Sequence, residues 1–151
     1  MIQKPRAAFG YVLMENTYED GEVWKVLIGS DMKCTTFWVQ GQFKNTTIPD
    51  FLPGQFLRPF EYIPGVFEHT SVGESKVFCF DQRLNNQRYV DLVPFILSAG
   101  ERRVLPKDTK LFFCAGKLVV NDQTIDKPTQ ISVRSKDTVV IATTDCYGLF
   151  F

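Results

Sequence analysis

With 151 residues, of which 44% are hydrophobic and 23% charged, the chain has an ordinary globular composition and is long enough to bury a core. Seventeen Lys and Arg balance seventeen Asp and Glu, so no net field draws the protein to polyanions, and nucleic acid is not an expected partner. No run approaches the roughly 20 apolar residues of a membrane span and no charged-then-apolar leader opens the chain, so neither membrane insertion nor secretion through a signal peptide is expected.

Residues 8–15 (AFGYVLME) predict a first strand, followed by a polar loop and a second strand over 23–29, with Asp20-Gly21 as a hairpin signal. Residues 35–43 predict a third strand with Phe37, Val39 and Gly41 on one face. Pro49, Pro53, Pro59 and Pro64 then break regular pairing, and Phe51, Phe56, Phe60 and Tyr62 lie between them. A segment this apolar is expected to pack across the end or edge of the sheets, as a lid or as a contact for a partner.

Strands resume at 76–81, and Asn85-Asn86 marks a turn. Residues 89–120 hold two apolar runs, 92–97 and 111–120, joined by the polar stretch AGERRVLPKDT. Both are short, rich in Val, Ile, Leu and Phe, and bounded by Gly, Pro and Asp, which predicts buried strands. After the Asn121-Asp122 turn come strands at 130–134, 137–143 and 147–151. About ten short strands with frequent turn signals and no helical stripe predict an all-β fold, a jelly-roll sandwich or a closed barrel. The expected layout is a single domain over 1–151, with N-terminal strands in 1–48, the Pro/aromatic loop in 49–67 and the remaining strands in 76–151.

From Leu92 onward, the sequence LVPFILSAGERRVLPKDTKLFFCAGKLVVNDQTI followed by DTVVIATTD resembles the cupin family, the double-stranded β-helix, with Gly100 and Gly116 at the positions of its two glycines. The resemblance implies a cupin-like barrel. It does not bring a metal with it: metal-binding cupins carry His-x-His and Glu between those glycines, and here the interval is ERRVLPKDTKLFFCA, with Asp108 as its one plausible carboxylate ligand. No metal and no cofactor are expected.

His69 is the one histidine of the chain. It is either a structural residue or a general base beside Asp81 or Asp91, with Tyr62 or Tyr89 as acid; metal-free sugar epimerases of the cupin family resemble that arrangement, which makes His69, Asp91 and Tyr89 the candidate catalytic set. Cys79 and Cys114 are candidate nucleophiles, but their Phe neighbours predict burial and a silent thiol. Cys34, Cys79, Cys114 and Cys146 form no CxxC and suit a reducing, cytoplasmic setting. Glycine-rich phosphate loops are absent from the sequence. The C-terminus, YGLFF, ends on three large apolar residues that must be covered by the fold or by a neighbour.

The favoured expectation is a non-catalytic, cupin-like module that oligomerises or binds another protein through Phe56, Phe60, Tyr62, Phe150 and Phe151, with a virion or phage assembly role as one form. The alternative is a metal-independent epimerase or isomerase acting on a small polar substrate through His69.

Overall fold

The computed structural model describes residues 1–28, 33–45, 49–61 and 65–151. Among them the regular structure is β-strand, with two short 3-10 turns at Pro59–Glu61 and Gln82–Asn85. The chain divides into two compact units, one of residues 1–7 and 11–89, the other of residues 8–10 and 90–151.

The first unit contains β1 (Ile2–Ala8), β2 (Tyr11–Tyr18), β3 (Val23–Ile28), β4 (Cys34–Lys44), β5 (Phe56–Leu57) and β6 (Gly65–Asp81) in one sheet. Its spine is β6. One edge of β6 pairs with β3 along 65–70 and with β2 along 75–79, and the other edge pairs with β4. Asp20-Gly21 therefore passes the chain from one half of β6 to the other rather than closing a β2–β3 hairpin. The Asp20 carboxylate accepts from the Gly73 N–H, and Gly21 N–H donates to Ser71 O, both at 2.8 Å.

The β4–β6 register breaks between Gln40 and Gln42, where residues 73–75 of β6 have Gly41 as their counterpart. Gly41 has φ 75°, and a Cβ there would lie 2.6 Å from Glu74 O. Buried Ser71 and Ser75 bridge the irregularity through their hydroxyls at 2.8 Å. The predicted alternation is absent: Phe37 and Trp38, in regular register with Phe78 and Val77, are both buried, and so is Val39 at a second register shift between Trp38 and Gln40.

The second unit contains β7 (Val93–Leu97), β8 (Arg102–Leu105), β9 (Lys110–Ala115), β10 (Leu118–Val120), β11 (Gln123–Ile125), β12 (Thr129–Ser132), β13 (Thr138–Ala142) and β14 (Cys146–Phe150). Its two four-stranded sheets run β12-β9-β14-β7 and β11-β10-β13-β8, with every pair antiparallel. The first of the eight strands pairs with the eighth, the second with the seventh, the third with the sixth and the fourth with the fifth. This is one long hairpin folded over on itself, the jelly roll. The second unit is thus a cupin-like double-stranded β-helix, as the resemblance implied. Phe95, Leu111, Phe113, Leu118, Val140 and Cys146 are among the residues that fill its interior.

Several predicted boundaries move. The strand expected at 8–15 is two strands, β1 and β2, joined by Phe9 and Gly10, both with positive φ. The run 111–120 breaks into β9 and β10 at Gly116, and β11 adds a strand that the composition did not signal. The strand expected at 76–81 starts at Gly65, so the largely polar residues 68–76 are strand, paired with β3 up to Thr70, with β4 over 70–72 and at Lys76, and with β2 from Ser75. The expected turn at Asn85-Asn86 is the end of a 3-10 turn whose cap, Asn86, has φ 55°. Asn85 is buried, and its amide bonds Val12 N–H, Val12 O and Asp81 O.

Sheet edges in both units are short or carry residues that resist further pairing: Pro5 in β1, Lys25 in β3, Pro94 in β7, and Arg102 and Arg103 in β8. The four cysteines are free thiols, and titration of the denatured chain without reductant is expected to find all four. Gly116 has φ 108°, and a Cβ there would meet Asp145 O and lie 2.9 Å from Cys146 Cα. Gly116→Ala is therefore expected to cost about 2 kcal/mol or more, read as a lower urea midpoint with unchanged slope.

Candidate functional site

His69 sits in the middle of β6, opposite Trp24 of β3, and is fully buried. Phe51, brought in by a backbone bridge to Phe43, stacks on the imidazole at 4.2 Å, and Trp38 stacks on the far side of Phe51 at 4.2 Å. Trp24 meets all three rings edge-on at 5.5–6.0 Å. His69 Nε2 lies 3.4 Å from Pro49 O, and Nδ1 is buried without a hydrogen-bond partner. Burial holds the imidazole below its ordinary range, opposed by the Pro49 carbonyl and the charge of Asp50. Tyr89 and Asp91 are exposed, in contrast to His69, and Tyr62 lies outside the described residues.

The Pro/aromatic segment packs along β4. Phe43 and Phe51 exchange backbone hydrogen bonds of 3.0 and 2.9 Å, and Trp38 bonds Gln55 and Gly54 through its N–H and O. Phe56 is half-buried against Phe37 with the Arg58 guanidinium over its ring, whereas Phe60 is 78% exposed. The thiols of Cys34 and Cys79 are pushed up to about 12 and about 11, chiefly by burial. Cys114 is buried and directs its thiol at Phe112 O. The surroundings of Cys34 and Cys79 favour the protonated thiol. Asp81 pairs with Arg83 at 2.9 Å and caps the adjacent 3-10 turn, and the Arg88 guanidinium lies over Tyr11.

In the second unit, Asp108 occupies the turn between β8 and β9 with φ 72° and is exposed, while Leu105, Leu111 and Phe113 on the flanking strands face the interior. Arg103 lies over Phe95 and donates to Ile96 O at 3.0 Å. Among the described residues, no three His, Cys, Asp or Glu side chains are grouped to hold a metal ion. The interior of this unit is lined by apolar side chains such as Phe95, Leu111, Phe113 and Val140. The C-terminal residues are covered within the chain: Leu149 is buried, Phe150 packs edge-on against Phe95 at 5.5 Å, and Phe151 rests on Phe9 at 5.3 Å.

Among the described residues, several exposed apolar side chains share the outward face of the sheet β11-β10-β13-β8. Alternation puts Val140, Ala142, Leu118 and Val120 into the core and leaves Val139, Ile141 and Val119 outside. Val139 pairs with Val104, and Ile141 lies between Arg102 and Val119. Val104 is 52%, Ile141 43% and Val139 37% exposed, and together with half-buried Val119 they form one contiguous patch. A shallow depression of about 370 Å³ runs into it, lined also by Asn121, Asp122, Lys136 and Asp137. The sequence of β13, TVVIA, is apolar in both registers and so does not distinguish this face from the core.

No family model and no curated protein matches the chain. Solved structures similar to it include HutD from Pseudomonas fluorescens SBW25, at 15% identity and TM-score 0.45, covering 93% of this chain and 78% of that one. A cupin 2 conserved barrel domain protein from Leptotrichia buccalis has 10% identity and TM-score 0.40, covering 99% and 86%. The regulatory subunit of a cAMP-independent protein kinase A from Trypanosoma brucei has 10% identity and TM-score 0.38, covering 92% and 71%. Likeness at this level assigns no function.

The buried imidazole has a consequence for pH. Its folded-state pKa is below the ordinary 6.5, so the unfolded chain takes up the proton first. The stability contributed by neutral His69 is complete above that value and is lost as pH falls through it. The urea midpoint is expected to fall between pH 7 and pH 5.5, and to fall less in His69→Phe. Equal pH dependence in the two proteins would rule out His69 as the source.

Proposed function

We propose that this chain is a non-catalytic module that works by binding protein, itself or another, through an exposed sheet face. The observation that carries the reading is the contrast within the second unit between a barrel filled with apolar side chains and an outer face with an unpartnered apolar patch at Val104, Val139 and Ile141. Soluble surfaces keep such patches small unless something covers them. A filled barrel leaves a protein partner, rather than a small substrate, as the natural ligand.

Phe60 on its 3-10 turn is a second contact point, since large exposed aromatics anchor interfaces. A role in virion assembly is one setting for such a module. The epimerase reading has less support, because a general base must reach the proton it takes, and His69 is sealed among Trp24, Phe51 and the Pro49 carbonyl.

Light scattering on the purified chain across a range of micromolar concentrations is expected to give a mass above that of one chain. A monomer at every concentration would remove self-association and leave a different protein as the partner.

A further inference from the structure

We infer that residues 49–52 form an acid-released strap: protonating His69 lifts them from the sheet about a hinge at Pro53-Gly54, while the rest of the first unit stays folded. Two of the groups that seal the imidazole belong to this segment. The Pro49 carbonyl lies 3.4 Å from Nε2, and the Phe51 ring covers one face at 4.2 Å. Nδ1 is buried without a partner, so a protonated ring in place would hold an N–H that nothing receives. A buried cation with an unanswered donor is costly. Lifting Pro49 and Phe51 opens Nε2 and one ring face to water.

The strap is held by few bonds. Phe51 exchanges two backbone hydrogen bonds with Phe43, and Leu52 is already exposed. Beyond it the chain is tied down again, by Gly54 N–H to Trp38 O at 2.8 Å and by the pairing of β5 with β4. Gly54 has φ 92°, and glycine absorbs a change of backbone direction at little cost.

The surrounding charges leave His69 as the trigger. The Asp50 charge favours the imidazolium, but its oxygens are held by Gln42 Nε2 at 2.8 Å and Asn45 N–H at 3.2 Å. Lys25, paired with Glu68 at 3.4 Å, and Lys44 project from the opposite face of the sheet. On the imidazole's own face, the bond from the Met1 amino group holds Glu22 below its ordinary range, and burial pushes the Tyr18 phenol up. Neither therefore changes charge between pH 7 and pH 5.5. The docked imidazole sits below its ordinary 6.5 and the released one returns to it. The released state thus binds the proton more tightly and gains population as pH falls.

Amide hydrogen exchange of the full chain, followed residue by residue and corrected for the intrinsic rate at each pH, tests this. The Phe43 and Phe51 N–H groups should exchange faster than those of the β2–β6 pairing at both pH values. Their opening constant should rise severalfold from pH 7 to pH 5.5, with a ceiling of about eightfold if the docked ring takes up no proton. In His69→Phe, which keeps a flat ring in the stack, that rise should vanish. Protection of Phe43 and Phe51 equal to that of the β2–β6 amides would mean the segment opens only with the whole fold, and overturns the strap. Local opening that is the same at both pH values, or that rises as much in His69→Phe, overturns His69 as its trigger. The parent alone gives the first two readings, so the inference can be refuted even where His69→Phe fails to fold.

Discussion

The two-residue turn at Asn121 and Asp122 fixes the register of β10 against β11, the tip from which the second unit's folded hairpin extends. Val120 pairs with Gln123, so the loop is as short as a hairpin allows, and both turn residues have positive φ, 49° and 63°. Asn and Asp tolerate that conformation, and such a turn matches the right-handed twist of the flanking strands. Once β10 and β11 are in register, the outgoing and returning arms meet in order, β9 with β12, β8 with β13, and β7 with β14. A slip of one residue in β10 at this turn would exchange Leu118 for Val119 on the core face, expelling one apolar side chain and burying another. Two glycines then let the folded hairpin close. Gly116 allows the start of β10 to pass Asp145 and Cys146, and Gly148 lies against Phe112 O, where a Cβ would sit at 2.8 Å.

The first unit is ordered differently, around one strand paired on both edges. β6 is polar over much of its length, yet its N–H and C=O groups are taken by β2, β3 and β4. This leaves the side chains of its middle free to serve packing in an unusual way. His69 acts there as a flat ring in a stack with Phe51 and Trp38, and its buried, unpartnered nitrogen is the cost of that role.

The jelly roll was legible because its signals are local: short apolar runs, Gly at the breaks, and Asn121-Asp122 at the tip. Gly100 and Gly116 marked the same topology through the cupin resemblance. The sequence was less informative for β6, since EHTSVGESK lacks the β-branched, alternating character of a strand and is extended only because neighbours pair with it. Phe9-Gly10 was missed as a hairpin tip because Phe rarely takes positive φ. Phe150 and Phe151, expected as partner contacts, meet Phe95 and Phe9 within the chain and keep part of their surface exposed, a pairing that hydrophobicity alone does not reveal. The patch at Val139 and Ile141 stayed hidden in TVVIA, where a run apolar in both registers reads as doubly buried.

The treatment of the sheet edges bears on how the protein fails. Pro5, Lys25, Pro94 and the Arg102-Arg103 pair leave few backbone groups positioned to template another strand. Growth by adding chains edge to edge, the route to fibrils, is blocked while the fold is intact. Loss of solubility by that route has to pass through unfolding, so conditions that stabilise the fold also guard against it.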